Sequence, residues 1–258
     1  MSTIRVTITD AKGSAPREAG TAMLVHPNHI DGTIGGGALE WEAMRIARNM
    51  LQTGAPKAQH PFPLGPSLGQ CCGGAVTLDF EATETLPTSP QTPLWVWGAG
   101  HVGRALIHSL SPLPGLALTW IDTAADRFPQ DIPSLDPTSV HRAIATDPPK
   151  LMPHAPIDAH HLILTYSHDI DLALCHAALS RGFASCGVIG SATKWNRFRK
   201  RLRLLGHGDT EISRITCPIG DPSLGKHPQA IAIGVAATLL GGQMLQESAQ
   251  RSGGTGGT

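Results

Sequence analysis

Aromatic residues are scarce in this chain, 4% of 258 residues with a single tyrosine, which argues against the stacked platforms that hold single-stranded nucleic acid. An excess of one charge is lacking too. The 20 Lys and Arg balance 20 Asp and Glu, so no general pull toward nucleic acid or an anionic membrane is expected. No apolar run reaches the ~18 residues that a membrane span requires. The first residues, Met-Ser-Thr-Ile-Arg-Val, lack the apolar core of a signal peptide. Five cysteines, an odd number and mostly scattered, speak for a reducing cytoplasm rather than a disulfide framework. Thirteen histidines invite a metal reading, yet neither HExxH nor the Cys/His spacing of a zinc finger occurs. Most of them read as surface or core residues.

What is present is a glycine-rich turn in the right setting. A β-prone apolar run, Leu94 to Trp97, meets Gly98-x-Gly100-x-x-Gly103, and a helical pattern begins at once. In such a strand–turn–helix the first glycine makes the turn, the second admits a ligand to the backbone and the third lets helix and strand pack closely. The amides of the helix start, with His101 among them, then favour a phosphate or another anion. Leu116–Ile121 reads as a second strand ending in Asp122, the position where such folds hold a ribose hydroxyl. An NAD(P)-dependent oxidoreductase is therefore one reading, although only His101 or His168 offers itself as its acid or base.

The remaining pattern divides the chain. Residues 1–82 read as a small α+β domain, with strands at Ile4–Thr9, Ala22–His26 and Ala75–Glu81 and a helix over 38–51. Residues 54–66 read as irregular. Residues 83–93, with three prolines among them, read as a linker. Residues 94–248 read as a Rossmann-like, doubly wound parallel-sheet domain, with further strands at 140–144, 162–165 and 187–190. A flexible Gly-rich tail over 249–258 completes the chain.

Several loops could bear chemistry. Cys71-Cys72, followed by Gly73-Gly74, could offer soft ligands to a metal or relay sulfur; equally, one thiol could be core filler. Gly35-Gly36-Gly37 at a helix start could form an anion nest or be only a tight turn. Arg17 could supply a bidentate anion contact or stay solvated. Ser191 and Lys194 open a helix whose Lys194–Arg203 stretch holds six positive charges and no acid, which could dock an acidic partner in a pure adaptor. Anion cradles and a thiol pair without an assembled acid–base pair favour a holder of an anionic cofactor over a hydrolase.

These motifs carry a resemblance. Gly13–Gly20, Gly32–Glu40 and Leu64–Gly74, followed by Trp97–Gly103, Asp122 with Arg127-Phe128, Gly187–Lys194 and Cys217–Gly220, resemble the XdhC/CoxI family in order from about residue 3 to 248. The resemblance implies a non-catalytic chaperone that binds molybdenum cofactor, Mo-molybdopterin, protects it during sulfuration and inserts it into apo-xanthine dehydrogenase. It implies two partners, the molybdenum-binding subunit of that enzyme and a NifS-like cysteine desulfurase; a cofactor shared between protomers would accommodate a homodimer. Cys71 and Cys72 would then contact molybdenum or receive sulfur, with Gly98–Gly103 at the phosphate end.

Overall fold

The computed structural model describes residues 3–35, 37–65, 73–86, 91–113, 115–130 and 140–241. The sequence candidates Gly36, Cys71 and Cys72, and the tail over 249–258, lie outside these residues. The chain divides into two compact units, Met1–Ser89 and Pro90–Thr258.

The first unit is an antiparallel sheet with one helix on it. Its strands are β1 (Ile4–Lys12), β2 (Ala22–Val25), β3 (Ile30–Gly32), β4 (Lys57–Leu64) and β5 (Gly74–Ala82), in the order β3-β2-β1-β5-β4. Alternation in β1 buries Ile4, Val6 and Ile8, and the same period in β5 buries Val76, Leu78 and Phe80. Helix α1 (Ala38–Thr53) lays Leu39, Ala43, Ala47 and Met50 against them. Strand β4 corrects the reading of residues 54–66 as irregular. Pro61 and Pro63 sit in it, and an edge strand tolerates proline because only one side of its backbone is paired.

The second unit is a parallel sheet of six strands: β6 (Thr92–Trp97), β7 (Leu116–Asp122), β8 (Val140–Ile144), β9 (His160–Ile163), β10 (Ser185–Val188) and β11 (Ile215–Thr216). Their order, β11-β10-β9-β6-β7-β8, is that of a full doubly wound nucleotide-binding sheet. Alternating residues of β6 serve opposite faces. Leu94 and Val96 meet α2 (His101–Leu110) and α7 (Pro228–Leu240); Trp95 and Trp97 meet the side covered by α4 (His168–Arg181) and α5 (Ala192–Leu204). Between β8 and β9 the crossover holds only a four-residue helix, α3 (Pro148–Leu151), and a short 3-10 turn. A last short helix, α6 (Asp209–Ile212), precedes β11.

Strands β9 and β10 each begin two residues before the apolar pattern does. His160 and His161 are polar and nonetheless buried, and Ser185 is half-buried: His160 Nδ1 and Ser185 Oγ share a hydrogen bond of 2.7 Å, and the Trp97 indole donates to His161 Nδ1 at 3.2 Å. Hydropathy cannot reveal a strand that opens on buried imidazoles.

Candidate functional site

The carboxyl ends of β6 and β9 flank the point where strand order reverses, the place at which open α/β sheets bind ligands. Two of the three glycines in the turn after β6 are required by close packing. Gly98 has φ of 123°, and a Cβ there would meet the Leu164 carbonyl. A Cβ on Gly103 would collide with the Gly98 carbonyl, so helix and turn touch backbone to backbone. At Gly100 a Cβ would meet nothing within 4 Å. The amides at the start of α2 have no side-chain cap. By contrast, Ser167 accepts the Ile170 N–H at the start of α4, and Ser191 accepts the Lys194 N–H at the start of α5. The first amides of a helix have no partner within it, and those of α2 follow directly on Gly100, its N-cap. His101 is exposed at the same end.

Asp122 makes several contacts within the chain. It is 5% exposed. Its Oδ2 accepts the Ala99 N–H at 2.6 Å, and its Oδ1 accepts the Thr123 N–H at 2.6 Å. The Arg127 guanidinium lies 3.4 Å from the same Oδ1 and 3.7 Å from the centroid of the Tyr166 ring. Strand β6 lies between β7 and β9, so the contact of Arg127, after β7, with Tyr166, after β9, spans the end of β6. Arg104 donates to the Ala99 carbonyl at 2.9 Å and to the Arg127 carbonyl at 3.0 Å. Three groups that sequence reasoning did not nominate as ligand contacts, Arg104, Arg127 and Tyr166, thus surround the glycine turn. The available signal was the single tyrosine of the chain, standing just past the end of a buried strand.

Lys194 is committed inward. Its ammonium lies 2.6 Å from Asp171 Oδ2 and donates to the Ile189 carbonyl at 2.7 Å. Asp171 Oδ1 in turn accepts the Thr165 N–H and hydroxyl at 2.9 and 2.7 Å. A buried carboxylate needs such a partner, and the pair ties α5 to α4 and, through Thr165, to the loop after β9 rather than presenting a cation at the surface. Elsewhere on α5, Arg201 pairs with Asp169 and Arg203 with Asp209, so acids from neighbouring elements answer part of its positive charge.

In the first unit the three glycine-rich segments converge. Gly74 packs so closely that a Cβ would strike the Ser14 and Lys12 carbonyls, and a Cβ on Gly35 would press on Pro16 and Arg17. Ser14 also bridges to Gly73. Arg17 is exposed and lines a groove of about 620 Å³ with Gly13, Ala15 and Pro16. Gly37 caps α1 with its backbone. Glu40 folds back beside this turn, accepting the Thr33 hydroxyl at 2.6 Å and the Ile34 N–H at 3.2 Å. That fixed carboxylate opposes an incoming anion next to Gly35.

These features define a protein class: an antiparallel α+β unit joined in sequence to a Rossmann-type unit whose glycine turn ends in an uncapped helix. Residues 94–239 match the model described as the XdhC Rossmann domain, and residues 2–61 match that of the XdhC and CoxI family. The chain belongs to the XdhC and CoxI family. A crystal structure described as a xanthine dehydrogenase from Bacillus halodurans shares the fold with a TM-score of 0.75 at 17% identity, covering 96% of this chain and 92% of the other. YqeB of Escherichia coli (strain K12), described as uncharacterized, is 28% identical over 253 residues, which cover 93% of this chain and 45% of YqeB. The chain therefore spans less than half the length of that relative. Among the described residues no helix is long and apolar enough to cross a membrane.

Proposed function

We propose that the chain is a maturation factor for a xanthine dehydrogenase-type molybdoenzyme, a carrier that holds molybdenum cofactor while its sulfur is installed and delivers it to the apoenzyme. Family membership supports the maturation role. The observation that carries the cofactor reading is the α2 helix start, without a side-chain cap and beside an open Gly100. Those amides suit the phosphate of molybdopterin, with Arg127 and Arg104 nearby as cations. Sulfur chemistry falls to Cys71 and Cys72, whose thiolates suit a soft metal centre. The molybdenum-binding subunit and a cysteine desulfurase are the corresponding partners.

The rival reading, an NAD(P)-dependent oxidoreductase, is weakened by Asp122, which is buried and each of whose oxygens already accepts an N–H of the chain. The test is molybdopterin and molybdenum content after incubating the chain with cofactor released from a molybdoenzyme, followed by gel filtration. We expect retention near one equivalent, lost in Gly100→Ala. Loss in Cys71→Ala/Cys72→Ala as well assigns the metal end to the thiols; retention there removes them from the site. No retention by the unaltered chain, with saturable NAD(P) binding instead, overturns the proposal.

A further inference from the structure

The turn joining β2 to β3 carries a cluster that the cofactor reading does not use. His26, His29 and Asp31 each bring a ligand atom within 4.8 Å of the others. The spacing follows from the hairpin. The His26 N–H donates to the His29 carbonyl at 3.0 Å, closing a four-residue turn with Pro27 in its second position, where its fixed φ suits the bend. Asp31 stands two residues beyond His29, and alternation along a strand returns its side chain to the same face. The two imidazoles stack with centroids 4.0 Å apart and planes 4° from parallel. His26 Nε2 lies 3.0 Å from Asp31 Oδ2, and His29 Nε2 lies 3.9 Å from the same oxygen.

We propose that His26, His29 and Asp31 form a binding site for a divalent transition ion of the zinc class. Two imidazoles and a carboxylate suit Zn²⁺, Co²⁺ or Ni²⁺, whereas Mg²⁺ and Ca²⁺ require mostly oxygen ligands. Ligand atoms around a tetrahedral zinc stand about 3.3 Å apart, given bonds of about 2.0 Å. The two measured separations bracket that value, and the exposed His29 ring has freedom to close the longer one. Metal-ligating histidines commonly engage their second nitrogen in a hydrogen bond that fixes the ring. His26 does so: its Nδ1 lies 3.2 Å from the hydroxyl oxygen of the buried Thr3. With three protein ligands the ion keeps a position for water or an incoming group, the arrangement of an exchangeable rather than a closed structural site.

The test is equilibrium dialysis of the full chain against Zn²⁺ in a Cys71→Ala/Cys72→Ala background, where that thiol pair cannot contribute. We expect one zinc per chain that is lost in His29→Ala and held at least about 10-fold more weakly in Asp31→Asn. The side chains of His29 and Asp31 are 63% and 57% exposed, so both variants fold, which far-UV circular dichroism checks. A background chain that binds no zinc, or zinc binding that is the same in both variants, overturns the site.

Discussion

The carboxylate of Asp122, at the end of β7, accepts the backbone N–H of Ala99, in the middle of the glycine turn, at 2.6 Å. An acid in this position of a dinucleotide-binding sheet ordinarily faces a ribose; here it fastens the turn. Asp122→Ala is therefore expected to lower unfolding free energy by about 2 kcal/mol, because it strands the buried Ala99 N–H and the half-buried Thr123 N–H. Urea denaturation measures this. A ribose contact would show the opposite pattern, with stability kept and nucleotide binding lost.

The second and third glycines of the turn separate fold from ligand. Gly103→Ala forces a methyl group into the Gly98 carbonyl and is expected to destabilise by about 3 kcal/mol. Gly100→Ala meets open space at an ordinary φ of −70° and should stay within about 1 kcal/mol of the parent, while abolishing cofactor retention. Thermal melts and retention assays on both variants test the contrast. Equal melting losses would mean that the space beside Gly100 is filled by the chain.

Acid sensitivity follows from His161. Burial first, and the neighbouring His160 second, push its pKa down to about 4 from an ordinary 6.5. The unfolded chain thus binds a proton there that the folded chain refuses. This contribution is complete above about pH 6.5 and is lost as pH falls toward 4, amounting to about 3 kcal/mol across that window. Urea midpoints measured from pH 7 to 4 should fall accordingly. In His161→Asn, which keeps an acceptor for the Trp97 indole, the slope should flatten; an unchanged slope assigns the effect to another group.

Thiol reactivity should be partitioned. Burial raises the Cys175 thiol well above its ordinary range, Cys186 to about 12 and Cys217 to about 11. A thiolate, not a thiol, is the nucleophile. Brief iodoacetamide treatment at pH 8 should leave all three unmodified in the folded chain, by peptide mass spectrometry. Any cysteine that does react is then Cys71 or Cys72. Alkylation of Cys217 at the same rate as a small-molecule thiol would contradict its burial.

The fold was legible where period and burial coincide: β1, β5, α1 and the turn from Leu94 to Gly103 all follow from alternation, helical stripes and glycine spacing. It was obscured where polar or proline residues lie inside regular structure. Pro61 and Pro63 hid β4, and His160, His161 and Ser185 hid the starts of β9 and β10. At the site, Gly98 and Gly103 were readable because backbone proximity demands glycine itself. Lys194 was not, because sequence shows a cation at a helix start but not Asp171, two elements away, that draws it inward. Arg127 and Tyr166 escaped for the same reason: their contact is made across a strand.

The hydrogen bond from the Gly73 N–H to the Leu64 carbonyl, at 3.0 Å, joins the end of β4 to the beginning of β5. The register of β4 with β5 sets Leu64 opposite Gly74, so this bond fastens the last residue of one strand to the start of the next. Gly74 is in turn wedged against the carbonyls of Ser14 and Lys12, which ties the same corner to the end of β1. A side chain at position 74 would therefore be felt on both sides of β5.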